Sequence, residues 1–362
     1  AVCQRARDIV RDLQDAPIGT RTLTDGGQSP LEIAHAVADF VGAAQQTLDL
    51  ALYDVRLPSP TGDVVADSLR AAAARGVAVR IAFNEDYRRE VPVPPPPRTE
   101  PDLLAALGVP IKPIPGEPDL MHHKYIVRDG GAVWTGSTNW TEDSWSREEN
   151  VIVTVESPEV AAAYAQDFTG LWDSGRVAGS GDFEVRPAGV GEASVRAWFC
   201  PGRGEALAHR IAAAIGRART RVRIASPVLT SGPILGTLAE VTGDGRVDVA
   251  GVVDATQIER VYEQWAKNAR AAWKLTSLGA VLKRAEFTGK QSTPYRPGSV
   301  HDYMHAKLTV ADDVVFVGSF NLSHSGELNA ENVLEIADAH LADEMAAFID
   351  GIRSRYPPAP LP

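Results

Sequence analysis

The chain contains one segment twice, and this repeat constrains its fold more than any other feature. Residues 122–139 read HHKYIVRDGGAVWTGSTN, and residues 305–321 read HAKLTVADDVVFVGSFN. Each segment is followed by a Glu-Asn pair in an apolar run, and the landmarks recur about 182 positions apart. A period this long is that of a whole folded unit, whereas solenoid repeats have periods of roughly 20–50 residues. The sequence therefore predicts two copies of one unit within 362 residues.

Helix and strand patterns recur in the same order around both copies. Ser29, Pro30 and Glu32 have the types expected of an N-cap, a first-turn proline and a capping-box partner. Alternation of helices with buried strands is typical of a layered α/β fold, and we expect lobes at 1–180 and 181–362 with two sheets packed side by side. Helices are predicted at Pro30–Val41, Val64–Arg75 and Glu205–Arg217, and strands at Leu48–Tyr53, Val77–Phe83, Val222–Ala225 and Val247–Val253.

Composition and charge limit the classes of protein. Hydrophobic residues make up 44% and charged residues 23% of the chain, which is typical of a globular protein. The net charge of −11 disfavours a general nucleic-acid coat protein, which is usually basic. The sequence has no apolar run of the roughly 18 residues that a membrane helix needs, so we expect no integral membrane span.

The two cysteines and the first residues leave the compartment open. Cys3 and Cys200 form no CxxC pair, and the sequence does not decide whether they form a disulfide. The chain starts with Ala1 rather than Met and has no charged-then-apolar leader, which is compatible with removal of a segment. Cytoplasmic and secreted locations are therefore not separated. We expect a monomer.

The first candidate site residues belong to two HxK triplets. Residues two apart in a strand point to the same face, so His122 should project with Lys124 and His305 with Lys307, while His123 points away. A single histidine of this kind is more often a core residue with a satisfied ring. Two at matching positions, each with a lysine on its face, favour a functional pair.

A hairpin and a second motif follow each triplet. Asp129 and Asp312 start turns between two β-rich runs. The returning strands end in Gly-Ser-x-Asn, in which the glycine allows close backbone approach and the serine and asparagine offer neutral donors for substrate binding. These residues are Gly136, Ser137 and Asn139 in the first copy and Gly318, Ser319 and Asn321 in the second.

Such a set of lysines, asparagines and serines suits an anionic group such as a phosphate. One histidine can attack phosphorus to form a phosphohistidine, and the other can protonate the leaving oxygen and later activate water or an alcohol. The ordinary pKa of imidazole, about 6.5, suits both tasks. Glu149 and Glu331 are the expected partners of the far ring nitrogens. No HExxH, calcium-loop or Walker pattern is present, so we expect neither a metal nor a cofactor.

These motifs resemble the phospholipase D superfamily, whose pattern HxK-x4-D followed by GSxN stands here twice. The resemblance spans nearly the whole chain. It implies a two-lobed α/β/α sandwich with one active site between the lobes, a phosphohistidine intermediate and no metal. It also implies that the first histidine is the nucleophile, that the second is the general acid and base, and that the motif aspartates support them. The matching residues are His122, Lys124 and Asp129, then His305, Lys307 and Asp312.

The substrate class stays open between lipid and nucleic acid. Nine basic and three acidic residues lie between Arg260 and Lys307, and a helix predicted over Ile258–Leu275 carries tryptophans on one side and basic residues on another. Such a stripe is typical of contact with anionic lipid headgroups, of contact with a nucleic-acid backbone, or of an ordinary solvated helix face. The acidic net charge favours lipid slightly, because a nuclease depends on neutralising phosphates.

We therefore expect a metal-independent phosphodiester hydrolase or transferase, of the phospholipase D or phosphatidyltransferase kind, that acts on phospholipid at a membrane surface. One alternative is a nuclease of the same superfamily that cleaves DNA or RNA. Another is a duplicated binding module without catalysis, against which the intact HxK and GSxN motifs in both copies argue. Hydrolysis and transfer to an alcohol are not separated by the sequence.

Overall fold

The computed structural model describes residues 10–11, 16–85, 101–296 and 298–362 of the chain. Within these ranges the chain forms two eight-stranded mixed sheets with helices on their faces. Cys3 lies outside the described residues, whereas Cys200 is buried in a strand. The predicted α/β class with two mixed sheets is confirmed.

The first half supplies the first sheet and a small two-stranded sheet. Its strands are β1 (Val10–Arg11), β2 (Ile18–Leu23), β3 (Thr47–Leu52), β4 (Val55–Arg56), β5 (Ala78–Glu85), β6 (Ile111–Pro115), β7 (Lys124–Arg128), β8 (Ala132–Gly136), β9 (Trp140–Thr141) and β10 (Asn150–Glu156). The large sheet has the order β1-β2-β10-β8-β7-β3-β5-β6, and β4 pairs with β9. The strands β3, β5 and β6 run parallel, whereas β7 is antiparallel to β3.

The second half repeats this sheet position by position. Its strands are β11 (Ala188–Val190), β12 (Ala193–Cys200), β13 (Arg221–Ala225), β14 (Asp248–Asp254), β15 (Thr288–Lys290), β16 (Leu308–Ala311), β17 (Val314–Gly318) and β18 (Glu331–Ala337). Their order is β11-β12-β18-β17-β16-β13-β14-β15. The duplication seen in the motifs therefore extends to the topology of the whole sheet.

The helices cover both sheets and follow the amphipathic patterns of the sequence. In α1, the predicted cap is present, because the hydroxyl of Ser29 accepts a hydrogen bond from the Glu32 N–H at 3.3 Å. The helices are α1 (Pro30–Gly42), α2 (Thr61–Ala74), α3 (Pro101–Ala105), α4 (Glu142–Ser146), α5 (Pro158–Ser174), α6 (Gly204–Arg217), α7 (Gly232–Asp244), α8 (Ala255–Ala266), α9 (Ala272–Arg284), α10 (His324–Leu328) and α11 (Ala339–Arg353). None of these helices in the described ranges combines the length and the apolar character needed to cross a bilayer.

Three clusters of buried apolar side chains hold the layers together. One packs α1 and α2 against the outer face of the first sheet, and another packs α6, α7 and α9 against the outer face of the second. The third lies between the sheets and joins the halves, with Tyr125 and Phe168 from the first half and Leu308 and Met345 from the second. Because this central core is continuous, the two sheets form one body with a shared interface.

The helix predicted over Ile258–Leu275 is wrong as a single element. The helix α8 ends at Ala266, a 3-10 turn spans Ala269–Ala271, and α9 begins at Ala272. Asn268 lies at the break in an extended conformation, and its side chain accepts a hydrogen bond from the Arg270 N–H at 3.0 Å. Asparagine competes for backbone groups in this way and favours helix ends over helix interiors.

This break also divides the predicted basic stripe. Lys267 and Arg270 are exposed in the segment between the helices. Lys274 instead donates a hydrogen bond to the Thr230 carbonyl at 3.1 Å, and Lys290 is buried in the interior of the protein. The basic residues of this segment therefore do not share one face.

Candidate active site

Each motif histidine is anchored by the other half of the chain. His122 and His305 stand just before β7 and β16, at the edge where the two sheets meet. The His122 N–H donates to the Ala330 carbonyl at 2.9 Å, and the His305 N–H donates to the Glu149 carbonyl at 3.2 Å. The site is therefore formed by the junction of the lobes.

Both histidines line one pocket of about 440 Å³. Asn139 and Asn321 line it as well, and the Oδ1 atom of each is buried without a hydrogen-bond partner. The structure thus brings four of the predicted residues, one His and one Asn from each half, to a single cavity. Each amide also carries an Nδ2 group, which is a hydrogen-bond donor that can serve an anionic ligand.

The partners of the histidine rings follow from the register of the strands β10 and β18. Gly136 lies opposite Ile152, whereas Gly318 lies opposite Val333. Accordingly, Asn150 in the first half is equivalent to Glu331 in the second. The sequence alignment of Glu149-Asn150 with Glu331-Asn332 is therefore displaced by one residue, and a one-residue displacement moves a side chain to the opposite face of a strand.

Glu149 is consequently not the partner of His305, and the expectation for this residue is wrong. Its carboxylate is fully buried and lies 3.0 Å from the Nζ of Lys290. The hydroxyl of Tyr356 also donates to it. Glu149 contributes to the active site through its backbone carbonyl alone, while its side chain forms a separate ion pair.

The ring of His122 is held by the second half, as expected. Its Nδ1 lies 2.8 Å from Oε2 of Glu331. The hydroxyl of Ser319 donates to the same oxygen at 2.5 Å, and Asn329 Nδ2 donates to the other carboxylate oxygen at 3.3 Å. With Nδ1 engaged, Nε2 is the ring nitrogen left for chemistry.

The ring of His305 is held by two residues of the first half. Its Nδ1 lies 3.1 Å from Oδ1 of Asn150 and 3.4 Å from Oε2 of Glu148. The hydroxyl of Ser137 donates to the same Oδ1 at 2.6 Å, and Asn150 Nδ2 donates to Glu148 at 3.1 Å. Both histidines therefore have one amide and one carboxylate behind the ring.

Lys124 and Lys307 are buried beside the histidines. Each ammonium donates to the backbone carbonyl of the motif histidine two residues earlier, at 2.6 Å for His122 and 2.7 Å for His305. Lys124 Nζ also lies 4.7 Å from the centre of the Tyr53 ring. Burial lowers the pKa of Lys124 to about 7 and lowers that of Lys307 well below its ordinary value. Their charges are thus close to the site and sensitive to the ligand that occupies it.

The titratable groups of the site are strongly perturbed. Burial, together with the charges of Lys124 and Lys307, holds the pKa of both motif histidines well below the ordinary value of 6.5. Burial also raises the pKa of Glu148 and that of Glu331 to about 7. Such clusters of perturbed groups in a cleft are typical of catalytic sites.

The remaining motif residues support the site without lining the pocket. The serines are fully buried and orient the histidine partners described above, so the expectation that Ser137 and Ser319 bind substrate is replaced by a role in orientation. A Cβ at Gly136 would stand 2.1 Å from the Val151 carbonyl, and one at Gly318 would stand 2.1 Å from that of Asn332. The glycines are thus required for strand packing rather than for substrate.

Asp129 and Asp312 lie at the far ends of β7 and β16, away from the pocket. The carboxylate of Asp129 accepts hydrogen bonds from the N–H groups of residues 45–47, and that of Asp312 accepts them from residues 219–221. Partial burial opposes ionisation, but these bonds prevail and lower the pKa of both, to about 2 for Asp312. Both aspartates pin the hairpin to the start of the neighbouring strand.

His123 points away from the pocket, as predicted. Its Nε2 lies 3.1 Å from Oδ2 of Asp167 on α5, and Asn332 Nδ2 lies 3.1 Å from its Nδ1. Asp167 also accepts a hydrogen bond from the hydroxyl of Tyr125 at 2.8 Å. His123 is therefore part of the interface between the halves.

Several site residues were missed by sequence reasoning. Glu148 and Asn150 could have been found only from the strand register. Tyr53 carries a weaker signal, since it directly follows a buried strand, and its ring lies 4.5 Å from that of His122. Arg260 was noted as part of a basic stretch, but its place on the pocket wall beside His301 and Tyr303 follows from tertiary packing. Within the described ranges, no group of three or more His, Cys, Asp or Glu side chains is arranged to hold a metal ion.

Comparison with known proteins agrees with this geometry. A family model described as cardiolipin synthase, PLD-like domain, matches residues 37–172 and 211–353, which is most of the chain. Phosphatidylserine synthase from Haemophilus influenzae Rd KW20 has the same fold, with a TM-score of 0.62 at 14% identity over 96% of this chain and 88% of that chain.

Curated relatives match a smaller part. The mitochondrial cardiolipin hydrolase of Xenopus laevis is 31% identical over 131 residues, which is 36% of this chain and 56% of that protein. The mitochondrial cardiolipin hydrolase of Chlamydomonas reinhardtii is 26% identical over 135 residues, 37% of this chain and 55% of that protein. The chain thus spans about half the length of the curated relatives it matches.

Proposed function

Because the chain belongs to the phospholipase D-like family, we propose that it cleaves a phosphodiester bond of a phospholipid through a covalent phosphohistidine on His122. The observation that carries the proposal is the shared pocket, in which a histidine from each half faces the same cavity. Two histidines on one pocket can divide the work of a nucleophile and a proton donor.

In the first step, Nε2 of His122 attacks phosphorus and the bond from phosphorus to the leaving oxygen breaks. His305 gives its Nε2 proton to that oxygen, so an alcohol leaves. The contact between Glu331 and Nδ1 of His122 stabilises the positive charge that develops on the phosphorylated ring. A bound phosphate monoanion would oppose the lowering of the histidine pKa, because an opposite charge nearby favours the imidazolium that His305 needs as a proton donor.

In the second step, His305 takes a proton from water, and the water oxygen attacks phosphorus. The bond between phosphorus and Nε2 of His122 breaks, which releases a phosphomonoester and restores the enzyme. The amides of Asn139 and Asn321 line the cavity and can donate to phosphate oxygens as charge develops on them. An alcohol in place of water would give transfer of the phosphatidyl group.

The pocket wall supports a lipid headgroup over a nucleic-acid backbone. Tyr53, Tyr295 and Tyr303 offer aromatic surface with hydroxyl groups, and Arg260 is the one Lys or Arg among the described residues that line the cavity. A single cation on the pocket wall suits one anionic headgroup, whereas backbone tracking depends on many cations. Relatives named as cardiolipin hydrolases are consistent with an anionic phospholipid.

Parallel turnover assays test this proposal. Vesicles of cardiolipin, phosphatidylglycerol or phosphatidylcholine, and single-stranded DNA and RNA, would be incubated with the protein in EDTA, with His122→Ala as the blank. We expect release of phosphatidic acid that the blank lacks, with the anionic lipids preferred. Cleavage of nucleic acid alone would instead assign the protein to the nucleases. No turnover of any substrate would favour a binding module. Addition of a primary alcohol then separates hydrolysis from transfer.

A further inference from the structure

The partners of the two histidines differ in a systematic way. The register makes Asn150 equivalent to Glu331, and two residues earlier it makes Glu148 equivalent to Asn329. Each half thus carries one glutamate and one asparagine at the same two positions, but in opposite order. The inner position, which touches the histidine and the motif serine, is an amide in the first half and a carboxylate in the second.

The two arrangements reach the histidine with different geometry. Glu331 contacts Nδ1 of His122 directly at 2.8 Å, and Asn329 binds the far oxygen of that carboxylate. In the other arrangement, Asn150 contacts Nδ1 of His305 at 3.1 Å, and Glu148 stands behind the amide at 3.4 Å from the same nitrogen. A charged partner gives roughly twice the hydrogen-bond strength of a neutral one.

The position of Glu148 is built by its surroundings. The side chain is almost fully buried, and its Oε2 accepts hydrogen bonds from the Ser144 hydroxyl at 2.6 Å and from Asn150 Nδ2 at 3.1 Å. These contacts hold the carboxylate against His305 rather than toward solvent. Burial of a carboxylate is costly without such partners, so its retention beside a catalytic histidine calls for a role.

We propose that Glu148 is the positioning carboxylate of His305. Compared with the second half, the glutamate and the asparagine behind this histidine occupy exchanged positions. Asn150 fixes the tautomer by accepting the Nδ1 proton, and Glu148 supplies the negative charge that favours the imidazolium. The exchange keeps one amide and one carboxylate for each histidine. This inference rests on the proposed function for its effect on turnover, but the contact itself does not depend on it.

The test is titration of the histidine rings by NMR with selectively nitrogen-15-labelled histidine, which needs no turnover. Other titratable groups that face His305 are Lys307, Lys124, His122 and His301. In the wild type, burial and the charges of Lys307 and Lys124 hold the pKa of His305 well below its ordinary value. In Glu148→Gln, removal of the negative charge should lower the pKa of His305 below its wild-type value and leave that of His122 unchanged.

Two further variants make the outcome decisive. The double exchange Glu148→Asn with Asn150→Glu copies the second half and should restore the His305 titration. Glu149→Gln is the matched control, since this neighbouring buried carboxylate is paired with Lys290 and should leave the His305 titration unchanged. Unchanged titration of His305 in Glu148→Gln, or a double exchange that behaves like Glu148→Gln, would overturn the proposal.

A reciprocal exchange covers the case in which Glu148→Gln does not fold. Asn329→Glu with Glu331→Asn gives His122 the arrangement of His305, and the His122 resonances should titrate as they do in the wild type. Loss of that titration would contradict the proposal.

With cardiolipin vesicles, Glu148→Gln should lower kcat about 10- to 100-fold with little change in KM. If the wild type turns over no phosphodiester, the proposed function fails while the titrations still decide the role of Glu148.

Discussion

The two halves of the molecule share a catalytic framework and differ in the walls around it. The strand order, the HxK and GSxN motifs and the aspartate-pinned hairpins are the same in both. The residues after one central strand of each sheet differ between the halves. Tyr53 and Asp54 follow β3, whereas Pro227 and Val228 occupy the equivalent positions after β13. All four of these line the pocket, so each histidine faces a different chemical environment.

The second half also contributes more of the wall. Its helix α8 presents Gln257, Arg260 and Gln264, and the segment before β16 presents His301 and Tyr303. In the first half, Leu120 occupies the position two residues before the motif histidine that Tyr303 occupies in the second. We therefore propose that the duplicated framework holds the phosphate and that the divergent walls select the two groups attached to it.

The largest expected effect separates the roles of the two histidines. His122→Ala and His305→Ala should each lower turnover of phospholipid by at least about 10³-fold, since each removes a group needed in both steps. With an activated p-nitrophenyl phosphodiester, the leaving group needs no proton. His305→Ala should then release up to one p-nitrophenolate per enzyme and stall, whereas His122→Ala should release none.

Rapid-mixing absorbance measures this burst, and mass spectrometry identifies the phosphorylated residue. The control is His209→Ala, which changes an exposed histidine on α6 and should behave like wild type. A burst from His122→Ala but not from His305→Ala would reverse the assignment of the two halves. Wild-type-like turnover by either variant would remove the two-histidine mechanism.

The next prediction concerns the pH dependence of kcat/KM, which tests whether the carboxylates of both halves must be ionised. Burial raises the pKa of Glu148 and of Glu331 to about 7, so each takes up a proton as the pH falls through 7 and the support of its histidine is lost. We expect log kcat/KM to fall below pH 7 with a slope approaching two, which is about 30-fold between pH 7 and pH 6. A slope of one, measured from pH 5 to 9 under conditions in which the fold is intact, would mean that only one half is sensitive.

The framework could be predicted from sequence because it depends on residue identity at fixed spacing. The HxK and GSxN motifs identify His122, His305, Asn139 and Asn321, and all four line the pocket. The motif also predicts that His123 points away, since neighbouring residues in an extended segment face opposite sides. Strand alternation with helices was sufficient for the α/β class.

The partners of the histidines could not be predicted in the same way. Three residues, 147–149, connect α4 to β10, whereas two residues, 329–330, connect α10 to β18. This difference of one residue shifts the Glu-Asn pairs relative to each other, and only the hydrogen bonds of the strands show it. The pocket wall is likewise determined by how α8 packs. After α8 ends, Asn268 caps the next 3-10 turn through a side-chain bond that the apolar pattern does not reveal.

A smaller effect tests the divergent wall. Arg260→Gln removes the cation that the second half contributes to the pocket wall. It should raise KM for anionic phospholipid vesicles about 5- to 10-fold while leaving kcat nearly unchanged. Phosphatidylcholine, with no net charge, should be affected less. The control is Lys267→Gln, which removes an exposed cation at the end of the same helix but outside the pocket wall. Equal effects of the two variants would mean that Arg260 acts through general surface charge.

The smallest effect compares the two motif aspartates, which stabilise the framework at a distance from the pocket. Asp312 binds three backbone N–H groups and the Thr220 hydroxyl, whereas Asp129 binds three N–H groups. Both have a positive φ, 53° and 49° for Asp129 and Asp312, which asparagine also tolerates, so Asp→Asn changes the charge with little backbone strain. We expect Asp312→Asn to lower the melting temperature by about 2–4 °C at pH 7, more than Asp129→Asn.

The pH dependence gives the sign of this contribution. The pKa of Asp312 is lowered to about 2 in the folded protein, so its stabilisation is complete above the unfolded value near 3.8 and is lost as the pH falls through about 2. The difference in melting temperature between wild type and Asp312→Asn should therefore shrink between pH 4 and pH 2. Calorimetry at several pH values measures it, with kcat as a control that should stay within about twofold of wild type. A large loss of kcat in the folded variant would place the aspartate in the catalytic machinery after all.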